Sequence, residues 1–237
     1  MTIKPNDFVE IEYTGKLKEG DIVFDTTDAD VAKAHSLPKA MYGPVVVVIG
    51  QGQLLKGLEA QLIGKGPGSY TIELGAEQAF GKKNAKLIQM VPTKKFVEQK
   101  IQPVPGLQLN IDGMVCVIRQ VTGGRVMVDF NHPLAGKDVA YDVKIIKIVT
   151  DKKEQLKAIF AMLLNINDAD IKLDGSKASI TLTQDLPKEI LPELQKKIKE
   201  LTDVDADITI AVKEKAAEKP VEKKEKAAEK KSQTPSQ

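Results

Sequence analysis

Five consecutive β-branched residues, Val45-Val46-Val47-Val48-Ile49, run directly into Gly50-Gln51-Gly52 and then into Leu54, Leu55, Leu58 and Leu62. An unbroken β-branched run shows neither a helical stripe nor strict alternation, and it predicts a strand buried on both faces. The leucines recur at the spacing of one helical face, and Gly64 with Gly66-Pro67-Gly68 ends the helix. A strand that turns through glycines into one short helix constrains everything else, because the remaining apolar runs must supply the cover for that helix. Those runs are strand-like: Phe8, Val9, Ile11 and Tyr13, then Ile22-Val23-Phe24, then Tyr70-Thr71-Ile72-Glu73-Leu74. The expected architecture is a β-sheet curled around one short helix.

The chain has 237 residues, 42% of them hydrophobic and 29% charged, which is long for one domain and suits two or three small ones. A net charge of +2, the absence of Trp and the lack of a basic stripe interleaved with aromatics argue against a nucleic-acid platform. The N-terminal Met1-Thr2-Ile3-Lys4-Pro5-Asn6-Asp7 carries no apolar signal core, and no stretch is long enough to span a bilayer. A single cysteine, Cys116 within Met114-Val115-Cys116-Val117-Ile118, rules out an internal disulfide framework and reads as a buried thiol. A cytoplasmic location is the expectation.

Three further regions follow from the pattern. Residues from about Lys83 to Phe130 form a separate module, with Pro92, Pro103, Pro105 and Gly106 at its start. In it Met114–Ile118 and Arg125–Asp129 pair around Thr122-Gly123-Gly124. The long strand Tyr141–Ile148 has no partner in that module and is expected to return to the first sheet, which makes the module an insertion. From Asp151 the order α-β-β-α-β is expected. It has an Asp151/Glu154 capping box, a face of Leu156, Ile159, Phe160, Leu163 and Leu164, and a hairpin across Asp174-Gly175. A second helix through Leu191, Leu194, Ile198 and Leu201 and a strand through Ile208, Ile210 and Val212 complete it. Lys213–Gln237 has no apolar stripe and reads as a solvated, disordered tail, with a transient helix or an electrostatic contact with ribosome or nucleic acid as the alternative.

Several chemistries fail on detail. The dinucleotide fingerprint needs glycine where Leu55 stands, and a P-loop needs Ser or Thr after Lys56, where Gly57 stands. His35 and His132 are the only histidines, without cysteine ligands or a nucleophile motif nearby, so no metal site and no hydrolase triad is expected. Locally, Asp25 reads as a turn residue and the aromatics as core. Their joint order is what stands out: Tyr13-Thr14-Gly15-Lys16-Leu17, Phe24-Asp25-Thr26-Thr27, Gly50–Glu59, Ala79-Phe80-Gly81 and, after the insertion, Tyr141-Asp142-Val143.

That set resembles the FKBP-type peptidyl-prolyl cis-trans isomerases. The insertion after Phe80-Gly81, with Val91-Pro92 near its start and Asn131-His132-Pro133-Leu134-Ala135-Gly136 at its exit, resembles the SlyD-type subfamily. The long connection from Asp25 to Pro44 and the added C-terminal unit resemble the long archaeal members. Motifs carry the resemblance over residues 3–150, and arrangement alone carries it over 151–212. Three positions depart from the best-known pattern: Leu58 replaces a tryptophan, Phe80 a tyrosine and Val45 a phenylalanine.

The resemblance implies an α+β fold. An antiparallel half-barrel sheet wraps on a short helix (residues 1–83 plus 131–150), with an inserted β-rich flap domain (84–130), a C-terminal α/β domain (151–212) and the tail (213–237). It implies a proline site in which Tyr13, Phe24, Asp25, Leu55, Phe80 and Tyr141 are catalytic and Val45, Leu54 and Leu58 bind substrate. Within it, Asp25 would accept a hydrogen bond from Tyr13, Leu55 would offer its backbone N–H to a substrate carbonyl, and Phe80 would close the rim. No cofactor or metal is implied. The implied partners are unfolded or partly folded polypeptides with X-Pro bonds. A ribosome contact through the C-terminal unit and a monomer or a dimer through it are open, with no membrane and no specific nucleic acid. The competing reading is a non-catalytic binding or scaffold protein with a degenerate pocket, and for the insertion alone a stabilising flap.

Overall fold

The computed structural model describes residues 1–38, 42–111, 113–166, 168–184 and 186–210. Val212 of the expected last strand and the expected tail, 213–237, lie outside the described residues. The first unit opens with β1 (Phe8–Leu17), β2 (Val23–Thr26), the short α1 (Ala29–Ala34), β3 (Val45–Val48), α2 (Lys56–Leu62) and β4 (Gly68–Leu74). An inserted unit follows with β5 (Ile88–Pro92), α3 (Thr93–Glu98), β6 (Gln108–Ile111), β7 (Met114–Thr122) and β8 (Arg125–Asp129). Then come β9 (Val139–Val149), α4 (Lys152–Leu164), β10 (Asp170–Asp174), β11 (Lys177–Leu182), α5 (Leu191–Thr202) and β12 (Asp205–Ile210).

The first sheet has the order β2-β1-β9-β4, with β3 also pairing β1, and every pairing is antiparallel. β9 lies between β1 and β4 although the whole insertion separates it from β4 in the chain. Long-range pairing of β1 with β9 runs from Phe8↔Val149 to Leu17↔Val139, with a bulge at Glu10/Ile11 that bends the sheet. Val9, Ile11, Val47, Ile49, Ile72 and Val143 pack on one side around Leu58 and Leu62 of α2, both fully buried.

β3 corrects the expectation of a strand buried throughout. Val47 and Val48 are buried, Val46 is half-buried and Val45 is 36% exposed. The physical reason is that two different units cover its two faces. Val47 faces α2, whereas Val48, together with Phe8 and Val149, packs into the C-terminal core of Leu156, Ile159 and Phe160. Val45 lies at the end that neither cover reaches.

The inserted sheet has the order β5-β8-β7-β6 over a small core of Phe96, Cys116, Ile118, Val126 and Val128. Gly123 and Gly124 both have positive φ (58° and 73°), the geometry of the tight turn that joins β7 to β8 with the right twist. β5 and β6 were missed by pattern because proline punctuates the first and each has only four or five residues. Pro92 is tolerated because it ends an edge strand, where a missing N–H breaks no ladder.

The C-terminal unit is α-β-β-α-β, with β11 central, antiparallel to β10 and parallel to β12. Asp151 caps α4 by accepting the Glu154 N–H at 2.8 Å, but the reciprocal half of a capping box is absent. The Glu154 carboxylate instead takes Lys147 of β9 at 2.8 Å. Leu163, expected on the apolar face, is 45% exposed, because it lies over a surface hollow beside Glu193 and Leu194 of α5, while Met162 and Leu164 on either side of it pack against the core. No helix among the described residues is long and apolar enough to cross a membrane.

Candidate active site

A cleft of about 460 Å³ opens between the sheet and the N-terminal end of α2. Its aromatic wall is built from three strands that are neighbours in the sheet. Gly15 of β1 lies opposite Tyr141 of β9 on one side and Asp25 of β2 on the other. Having no side chain, Gly15 leaves room for the rings beside it: a Cβ there would stand 2.8 Å from Tyr141 Cε1 and 2.9 Å from Phe24 Cζ. The Phe24 ring therefore meets Tyr141 edge-on (5.8 Å, 83°) and Phe80 edge-on (5.7 Å, 80°), the arrangement that ring quadrupoles favour. Tyr13 tilts against Tyr141 at 6.0 Å.

Leu58, fully buried, forms the floor, and Leu54 and Leu55 form the adjoining side at the start of α2. The Gly50–Leu55 turn that presents them is clamped by buried Glu59, whose carboxylate accepts the Gly50 N–H at 3.1 Å and the Leu54 N–H at 3.3 Å. Gln53 ties the same turn to β3 by accepting the Val48 N–H through Oε1.

One carboxylate, Asp25, lines this cleft, with Gln53 and His132 as its other polar side chains beside the tyrosines. Tyr13 donates its hydroxyl to Asp25 Oδ2 at 3.0 Å, and β2 is held in place by Thr27, whose Oγ1 accepts the Tyr13 N–H at 2.8 Å. Burial, with the Asp25 charge adding to it, pushes both the Tyr13 and the Tyr141 phenols well above the ordinary tyrosine value. Both phenols are neutral at physiological pH, and Tyr13 is the donor to Asp25.

Of the nine residues expected from sequence, the cleft brings together Tyr13, Phe24, Asp25, Leu54, Leu55, Leu58, Phe80 and Tyr141. Val45, expected with them, lines not this cleft but the adjoining groove, at the first position of β3. Four residues of the cleft were not expected. Gly52 and Gln53 lay inside a quoted motif but were assigned no role. His132 and Leu134 lie on the segment that returns from the insertion. His132 is flat against Phe80, with ring centroids 4.7 Å apart and planes 3° apart, and its Nδ1 accepts the Leu134 N–H at 3.2 Å. The motif Asn131–Gly136 was legible, but the contact was hidden because the insertion separates His132 from Phe80 in the chain.

The return segment is fastened to the start of the insertion. Asn131 donates from Nδ2 to the Asn84 carbonyl (3.1 Å) and accepts the Asn84 N–H at Oδ1 (2.8 Å). It also donates from its backbone N–H and from Nδ2 to buried Asp129 Oδ1 at 2.9 and 2.8 Å. Arg119 Nε and Nη2 reach Asp129 Oδ2 at 3.0 and 2.9 Å.

Comparison with known proteins agrees with this geometry. The family model for FKBP-type peptidyl-prolyl cis-trans isomerase matches residues 1–103, and the model for the FKBP26 IF domain matches residues 89–134. The chain is 32% identical over 146 residues to the short-type peptidyl-prolyl cis-trans isomerase of Methanocaldococcus jannaschii, covering 60% of this chain and 92% of that protein. It is 30% identical over 152 residues to the FKBP-type 16 kDa peptidyl-prolyl cis-trans isomerase of Escherichia coli strain K12, covering 62% of this chain and 94% of that protein. It is 32% identical over 160 residues to the FKBP-type peptidyl-prolyl cis-trans isomerase SlyD of Aeromonas hydrophila, covering 66% of this chain and 69% of that protein. With its aromatic cleft intact and a second sheet inserted between Phe80 and Tyr141, the chain belongs to the FKBP-type peptidyl-prolyl cis-trans isomerases, in their SlyD-like branch.

Proposed function

We propose that the chain accelerates X-Pro rotation in folding polypeptides and that its inserted unit holds those polypeptides near the cleft. The observation that carries the first part is a set of aromatic and aliphatic walls, in an open cleft, around a single hydrogen-bonded carboxylate. Rotation about a peptide bond faces a barrier of about 18–20 kcal/mol, because amide resonance must be broken. The planar amide is more charge-separated than the twisted one. A cleft lined by Phe24, Leu54, Leu55, Leu58 and Tyr141 therefore disfavours the ground state relative to the transition state. Each 1.36 kcal/mol of such preference is worth about tenfold in rate. No nucleophile is needed.

In this reading Leu58 and the Phe24–Tyr141 pair hold the proline ring, and Phe80, braced by His132, closes the rim. The Tyr13–Asp25 pair shapes the field at the twisting carbonyl, and the Leu55 N–H at the head of α2 meets a substrate carbonyl. The test is a proline-limited refolding reaction. Purified protein accelerates it, and Asp25→Leu and Phe80→Ala lower that acceleration. Unaltered rates in both variants favour a non-catalytic binding protein.

The second part rests on the surface of the inserted unit. Met90 on β5, Val97 on α3, Val104 in the loop that follows, and Met114 and Val115 on β7 are each 46–64% exposed there, five large apolar side chains open to solvent in one small unit. Unfolded segments offer the matching chemistry. Replacing Val97 and Met114 by Glu should leave peptide isomerisation intact while catalysis on an unfolded protein and suppression of its aggregation both fall. Retention of both assigns the insertion a stabilising role only.

A further inference from the structure

Beside the cleft runs a groove of about 550 Å³ that no part of the isomerase reading uses, in the size range of ligand-binding sites. One wall is Tyr42-Gly43-Pro44, the end of the long loop after β2, and the other is the face of α4 that carries Ala158 and Ala161. The groove is continuous with the proline cleft, since Tyr13, Gln53 and Leu54 line both.

Its third side is β3. Val45, Val46 and Val47 all line it. Neighbouring strand residues point to opposite faces. Three in a row are reached together only along the edge of a strand. Among the described residues β3 pairs with β1 alone. On its other edge Gln53 and Gln51 take the Val48 N–H and C=O, and Val46 is left without a strand partner beside the groove. A short free stretch of edge beside a largely apolar trough is a surface that accepts an extended peptide. Four charged side chains line it as well, Lys147 contacting Glu154 at 2.8 Å and Glu10 at 3.6 Å, with Lys157 beside them bringing the formal sum to zero.

We infer that this groove, completed by α4 of the C-terminal unit, receives the extended stretch of substrate polypeptide next to the proline. The inference rests on the isomerase reading and adds to it a substrate class, which is longer, uncharged, unfolded segments in preference to isolated X-Pro units. The C-terminal unit thereby contributes to substrate choice. A chain entering the proline cleft must leave it on both sides, and the groove is a lined exit.

The test uses the full chain with two substrates, an X-Pro dipeptide amide too short to leave the cleft and the same unit within a longer apolar peptide. Ala161→Trp fills the groove and Ala161→Glu charges it, with Ala161→Ser as the conservative control. The ratio of kcat/KM for the long substrate to that for the short one is expected to fall about fivefold in the first two variants, through KM, and to recover in the third. In the unmutated protein, titration with the long peptide should shift the Val45, Ala158 and Ala161 amide resonances, and the dipeptide should not. Activity on neither substrate sinks the isomerase reading. Activity on both with an unchanged ratio and unshifted resonances overturns the groove. An unchanged ratio with a changed mass in light scattering also overturns it and assigns the face to a second copy of the chain.

Discussion

The His132 imidazole lies parallel to the Phe80 ring, 4.7 Å between centroids, and through this stack the segment leaving the insertion braces the rim of the proline cleft. Phe80 has no hydroxyl with which to fix itself by a hydrogen bond. Its position is set instead by two ring contacts, edge-on to Phe24 and face-on to His132.

Removing the stack is therefore expected to loosen the rim. His132→Ala should lower kcat/KM on a proline tetrapeptide about three- to tenfold, the worth of one aromatic contact. His132→Phe, which keeps a flat ring in place, should restore most of it. Stopped-flow isomerisation assays on the two variants check this.

The Tyr13–Asp25 hydrogen bond (3.0 Å) gives a second expectation. Tyr13→Phe keeps the ring and removes the donor, and should lower kcat by about fivefold, the equivalent of one hydrogen bond. Equal turnover in Tyr13→Phe and the unmutated protein would show that this pair has no part in the reaction.

Gly15 carries a steric expectation. Ala at this position brings a Cβ within 2.8 Å of Tyr141 and 2.9 Å of Phe24, rings that are themselves locked edge to face. Gly15→Ala should cost about 1–3 kcal/mol of stability by overpacking and should reduce activity as well. Urea denaturation and the peptide assay measure the two effects.

The tyrosines set an alkaline expectation. Both Tyr13 and Tyr141 are raised above 10.0, first by burial and then by the Asp25 charge. A group whose folded value is raised contributes stability fully below the unfolded value and loses it as pH rises through the folded one. No tyrosine limb should thus appear in the pH–rate profile below about pH 10. In an ultraviolet titration the phase lost in Tyr141→Phe should be a late one, above the value of free tyrosine.

Asp129 sets the acid expectation. Burial acts to raise its carboxyl, but hydrogen bonds from Asn131 and Arg119 outweigh it and hold it below the ordinary 3.8. Its contribution is present above pH 3.8 and is lost as pH falls through the folded value. Asp129→Asn should flatten that acid limb and cost about 1–3 kcal/mol at neutral pH, because the charge facing Arg119 is lost and one of the two acceptor oxygens becomes an NH2 that meets a donor. Thermal unfolding followed from pH 7 to well below pH 3.8 reads both.

Much of the first unit was legible because local rules and the fold agree there. The Val45–Ile49 run, the glycine turn and the leucine-spaced helix lie next to one another in the chain, so neighbouring residues alone dictate them. The same holds for the two-glycine turn between β7 and β8. Pattern failed where the environment of a residue comes from elsewhere. Val45 looked as buried as Val47, yet Val47 meets α2, Val48 and Val46 meet the C-terminal core, and Val45 meets neither. Glu154 looked like half of a capping box, but Lys147, on the strand before α4, is the partner it takes.

That a sheet must wrap one short helix, and which aromatics and leucines meet at the cleft, could be read from the amino-acid order. Those residues lie in short motifs whose order survives the insertion. That Gly15 must be bare, that His132 braces Phe80 and that α4 walls a groove beside the cleft emerged from the folded chain alone. Each of these is a contact between segments far apart in the chain. Ring packing and edge exposure depend on how β1, β9 and α4 are laid side by side, which periodicity does not encode.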